Sequence, residues 1–190
     1  EDIDRKDIPG FQILNGKYDK DFINSMNIWI NLLLKGVKKY IYAGNDAHGN
    51  FNIYRQIKTP MITLLEKKTQ RFGYYRTGIH TNKDASINSI LKSIKSGSCF
   101  VTNGPYLEFA SSTISKKYIA GDIIKDKVAK IHVHTISSPE FGFIEKISII
   151  KGVLGEANEE KCLEIKILNT YSYKLDYNIF IEKNCYYRCK

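Results

Sequence analysis

The spacing of apolar residues changes once along this chain of 190 residues, at Pro105, and that change limits the folds open to it. Before it, apolar residues recur every three or four positions. Over residues 21–35, Phe22, Met26, Trp29, Ile30 and Leu33 fall on one face of a helix. Asp21 is placed to cap its start, and Gly36 can supply the left-handed residue that ends it. A second helix is expected over 87–96. Ser86 is its cap, Gly97 its stop, and Ile87, Ile90, Leu91 and Ile94 its buried stripe. Between the two, residues 39–43 are short and β-prone and run into the polar loop Gly44-Asn45-Asp46-Ala47-His48-Gly49. Residues 61–68 read as a short helix after Pro60. Residues 74–81 and 98–102 read as strands, the second closed by the turn Asn103-Gly104-Pro105.

After Pro105 the helical spacing disappears. Short alternating strands are expected at 106–110, 128–136, 144–151, 162–168 and 177–182, separated by turn residues such as Gly121-Asp122 and Ser138-Pro139. This is the cadence of an antiparallel β-sandwich. The boundary falls near Gly104 and divides the chain into 1–104 and 105–190. No linker marks it, so the two parts are expected to pack together.

Charge separates the function classes. The formal net charge is +9, from 29 basic and 20 acidic side chains, and only five of the basic residues are Arg. Base readout and bidentate phosphate binding favour Arg, and the Lys residues here are scattered rather than clustered. Specific nucleic-acid binding is therefore not expected. Residues 1–104 carry 16 basic and 9 acidic groups and so hold most of the excess, which suits an anionic substrate as well as it suits a solvated surface. No apolar run approaches the roughly 20 residues of a membrane span, so no membrane partner is expected. Residues 1–6 contain no apolar stretch of a secretory kind, so any signal or anchor would lie upstream. Cys99, Cys162, Cys185 and Cys189 form no CxxC pair and leave the compartment open, with the cytoplasm favoured.

Asp46-Ala47-His48 is the sharpest chemical feature. A carboxylate and an imidazole two residues apart, just past a strand, can turn towards one metal ion or a pair. The same triplet also serves as a plain surface turn. His132 and His134 form a second HxH, but they sit in the alternation Lys130-Ile131-His132-Val133-His134 and are expected on the solvent side of a strand. His80 reads as a strand-end histidine. Arg76 can hold an anionic group or form a structural ion pair. Tyr171, Tyr173, Tyr177, Tyr186 and Tyr187 can stack on bases or sugars, or fill a sheet face.

The order of motifs resembles the C-terminal part of the PHP (polymerase and histidinol phosphatase) family of metallohydrolases, and most closely the CehA/McbA-like subgroup. The residues that carry the resemblance are Trp29, Leu32, Leu33 and Gly36, then Asn45-Asp46-Ala47-His48-Gly49. Phe11 to Gly16 upstream, and downstream Tyr75-Arg76-Thr77, the helix over 87–97 and Phe100-Val101-Thr102-Asn103-Gly104-Pro105, extend it over roughly residues 11–125. The resemblance implies an α/β fold, the C-terminal part of a distorted β/α barrel followed by a small antiparallel β-sandwich. It also implies Asp46 and His48 as ligands of divalent metal ions (Zn, Mn or Fe) and Arg76 as a contact to an anionic small-molecule substrate. The family's first HxH, bridging Glu and middle His ligands precede the strand matched by Phe11 to Gly16, and Gln12 stands where Glu is frequent. The expectation is thus part of a metal-dependent hydrolase of the phosphoesterase type, completed by an N-terminal segment outside these 190 residues. The alternative is a non-catalytic β-sandwich module that binds a partner or a carbohydrate.

Overall fold

A computed structural model describes residues 5, 7–45, 56–58, 63–65, 72–81 and 85–190. β1 (Gly10–Asn15) and β2 (Tyr40–Gly44) pair in parallel, with α1 (Lys20–Leu34) crossing between them. Asp19 caps α1 by accepting from the N–H groups of Asp21 and Phe22, two residues earlier than expected. Trp29, Leu32 and Leu34 are the buried positions of this helix. The indole of Trp29 donates to the Lys39 carbonyl at 2.8 Å. Lys39 is itself buried, and its ammonium is satisfied by the carbonyls of Arg5 and Ile8.

β3 (Gln56–Lys58) and β4 (Thr63–Leu65) form a small antiparallel pair, so the helix expected over 61–68 is a strand where it is described. β5 (Arg76–Ile79) and β6 (Cys99–Thr102) also pair antiparallel, with α2 (Ile87–Ser96) between them. Ser86 caps α2, and Gly97 ends it in the left-handed conformation at φ 76°.

The barrel expectation is corrected here. Among the described residues no β/α barrel forms, and the strands divide into five small sheets. The reason is how α2 ends. The hydroxyls of Ser93 and Ser98 both donate to the carbonyl of His80, and the His80 N–H donates to the Ser98 carbonyl. The helix therefore delivers the chain back to the end of β5 that it left. β6 must then run antiparallel to β5, and a parallel barrel cannot be continued that way.

The second half builds two antiparallel sheets. One runs β12 (Ser172–Phe180), β9 (Val128–Ile136), β7 (Tyr106–Ser112), β8 (Lys117–Ile119). The other runs β11 (Glu160–Lys166), β10 (Lys146–Val153), β13 (Cys185–Cys189). Their facing sides share one core. Ala129, Ile131, Val133 and Ile179 come from the first sheet, and Ile147 and Ile149 from the second. β9 alternates strictly, with Ala129, Ile131, Val133 and Thr135 buried and Lys130, His132 and His134 on the other face.

The two halves meet along a seam. The Gly155 N–H donates to the carbonyl of Leu34, one of the acceptors left over at the end of α1. The Lys38 ammonium donates to the Gly121 carbonyl at 2.7 Å. Gly121 holds φ +89°, and a Cβ there would lie 2.1 Å from the Ser96 carbonyl oxygen. Gly121→Ala is expected to cost at least about 1–3 kcal/mol, from backbone strain with the collision added to it. Urea unfolding followed by circular dichroism measures this. An unchanged midpoint would mean that the turn can back away from α2 freely.

Candidate functional site

The parallel pair ends where chemistry is expected to gather, at the carboxyl ends of β1 and β2. Asn15 and Gly44 are register partners there, and the Gly16 N–H donates to the Gly44 carbonyl at 3.0 Å. Gln12 donates its amide to Asn15 Oδ1 at 2.7 Å, and a Cβ on Gly44 would sit 2.8 Å from that same amide. Glycine at 44 is what lets Gln12 lie across the strand end.

β5 is attached to β2 by side chains rather than by a ladder. Thr77 Oγ1 accepts from the Ala43 N–H at 3.0 Å and donates to the Ala43 carbonyl at 3.3 Å. Two residues on, Asn45 donates Nδ2 to the Tyr75 carbonyl at 3.1 Å and accepts the Tyr75 N–H through Oδ1 at 2.5 Å. A single amide thus clasps both main-chain groups of Tyr75. The residue after the clasp on one side is Arg76, and on the other Asp46. Arg76 is exposed. Its guanidinium donates to the Gly73 carbonyl and lies over the Phe141 ring at 5.6 Å, a cation–π contact that reaches into the second half of the chain.

The expected metal ligands Asp46 and His48 lie outside the described residues. Among the described residues no three His, Cys, Asp or Glu side chains gather where an ion could sit. What the strand end does offer are the neutral amides of Gln12, Asn15 and Asn45, and the last is already committed to Tyr75. These groups do not make a metal site by themselves.

The histidines divide. His80 is half-buried between Phe100 and Tyr106, with ring centroids 5.4 and 6.0 Å away, and burial pulls its pKa down. Tyr106 also meets the His134 ring edge-on at 6.3 Å. His132 is held on the outer face of its sheet. Its Nδ1 lies 2.7 Å from Asp176 Oδ1, and its Nε2 lies 2.8 Å from Ser112 Oγ. The connectivity is that of nucleophile, base and orienting carboxylate. The placement is not catalytic. β7 and β9 are each paired on both sides, so their N–H groups are spent in ladders and none can serve as an oxyanion hole at Ser112. This is a cross-strand polar network, in which His132 also holds the Asp176 carboxyl below its usual range.

The tyrosines turn inward. Tyr173, Tyr177 and Tyr187 pack against the sandwich core, and Tyr186 donates to Glu159. All four cysteines are free thiols. Sequence reasoning named Asn45, Thr77 and Gln12 only as members of matched motifs and gave them no structural role. Their signal was adjacency, since Asn45 precedes Asp46 and Thr77 follows Arg76. No family model, no curated protein and no solved structure matches this chain.

Proposed function

We propose that the end of β1 and β2 is part of a metal-dependent hydrolase site of the phosphoesterase type. In this reading Asp46 and His48 hold a divalent ion (Zn, Mn or Fe), and Arg76 receives the anionic group of a small-molecule substrate. One observation carries it: the clasp of Asn45 on Tyr75. The loop that opens with Asp46 and the strand that opens with Arg76 therefore start from one fixed point. The reading rests on this local geometry and on no barrel.

A bound divalent ion would supply a water acidified to near neutrality. The chain's own residues do the remaining work. Asn45 fixes the start of the ligand loop, Thr77 ties that loop's strand to β5, and Arg76 presents a permanent cation at the exposed edge. Two ligands rarely retain a catalytic metal, so further ligands besides Asp46 and His48 are needed.

Manganese binding, followed by electron paramagnetic resonance, tests the reading. Binding by the chain alone is expected to be weak, and Asp46→Ala or His48→Ala should weaken it by at least about tenfold. Turnover of p-nitrophenyl phosphate should be negligible. Identical titrations for the parent and for the double variant would overturn the assignment. Fast, metal-dependent turnover abolished by Asp46→Ala would instead overturn the view that the ligand set is incomplete.

A further inference from the structure

The two halves meet along the seam without filling the space behind it. Between β2 and β6 on one side and the open end of the sandwich on the other lies a cavity of about 680 Å³. Pockets of roughly 300–1,000 Å³ at domain junctions are where proteins take small molecules. Aromatic side chains, Trp29, Tyr40, Phe100 and Tyr118 among them, stand in its wall together with Ile131 of the sandwich core. Ile119, Ile123 and Leu154 belong to the same wall and remain 40%, 69% and 40% exposed, so the way in is apolar too.

The charged groups of the wall say what the cavity does not take. Arg188 is bound by Glu159 through two contacts of 2.7 and 2.5 Å. Lys183 lies 3.6 Å from Glu156. The ammonium groups of Lys38 and Lys39 are held by main-chain carbonyls, and Asp122 accepts the Ile119 N–H at 2.9 Å. Burial pushes the thiols of Cys99 and Cys189 up to about 11 and about 12, so both are neutral at physiological pH. Among the described residues no buried side-chain nitrogen or oxygen lacks a partner. A charged ligand would give up its hydration here, and each cation of the wall is already engaged by a carboxylate or by main-chain carbonyls. An apolar ligand gives up none, and flat aromatic walls favour a flat ring system.

We infer that the junction cavity is a binding site for an uncharged aromatic small molecule. The inference is independent of the strand-end site and needs no metal.

Trp29 is the single tryptophan and stands in the wall, so energy transfer from it locates a bound dye. The experiment uses N-phenyl-1-naphthylamine, which is uncharged, and its close analogue 8-anilinonaphthalene-1-sulfonate, which is anionic. The neutral dye should bind saturably, one per chain, and quench Trp29. The sulfonate should bind at least tenfold more weakly. Ser111 is opposite Ile131 in the ladder and faces the same way, so Ser111→Phe should fill the cavity and cut affinity at least tenfold. Cys99→Phe fills it from the opposite wall and repeats the test should Ser111→Phe unfold. Three results would each overturn the inference: no saturable uptake by the parent chain, equal or tighter binding of the sulfonate, or undiminished binding in a folded filled variant.

Discussion

Glu159→Ala is expected to lower the unfolding free energy by about 3–5 kcal/mol, the cost of leaving one member of a buried ion pair without its partner. The carboxylate meets Arg188 in a two-point contact, and the side chains are only 10% and 16% exposed. It also accepts from the Tyr186 hydroxyl at 2.8 Å. Alanine at 159 would leave a guanidinium and a phenol in place with nothing to bind. The guanidinium lies over the Trp29 ring at 6.0 Å, so the loss should reach α1 as well. Urea unfolding gives the energy, and Trp29 emission should shift in the folded variant. A loss below about 1 kcal/mol, the range of exposed pairs, would mean that water reaches this pair freely. Replacing both partners by apolar residues of similar size should recover much of the loss, because the penalty belongs to the orphaned charge.

Ile149→Ala should cost about 2–5 kcal/mol, and Ile149→Val only about 0.5–1.5. Ile149 is fully buried, in the middle of β10 between both neighbouring strands, with Leu163 opposite on β11 and Cys189 opposite on β13. Its partners across the core are held by the ladders of the other sheet, so the site cannot collapse onto a smaller side chain. Thermal and urea unfolding of the two variants give the ratio. Equal losses for Val and Ala would mean that the space beside Ile149 is already loose.

What could be read from the sequence follows from how local each cause is. The strand β9 was legible to its ends, Val128–Ile136, because one face is buried and the period is two. The caps of α2 were legible because Ser86 and Gly97 act on the backbone beside them. Its face was not. Ile87 is 77% exposed and Leu91 48%, since which side a helix buries depends on what lies across from it. β13 was missed altogether. Cys185-Tyr186-Tyr187-Arg188-Cys189 has no alternation, and its place is set by β10 and by Glu159, 26 or more residues back. The barrel was expected from the resemblance in the order of motifs, and of it only the parallel unit β1, α1 and β2 is present among the described residues. Three contacts of Ser93 and Ser98 with His80 at the end of α2 redirected the chain, and nothing in spacing announces them. At the candidate site the sequence left Arg76 open between an anion contact and a structural ion pair, and its exposure and its contact with Phe141 come only from the structure. The clasp that positions it depends on a hydrogen bond between residues 30 apart.

The seam also sets an order of events during synthesis. Trp29, Leu34 and Lys38 each have a partner in the second half of the chain, in Arg188, Gly155 and Gly121. Chains emerge from the ribosome at about 5–20 residues per second, so α1 waits on the order of ten seconds for β13. Throughout that interval the part of α1 that meets β10 and β13 has no native cover, while β1 already packs against the helix. A nascent chain of this design therefore presents a small chaperone-type client surface on α1 until β13 withdraws it.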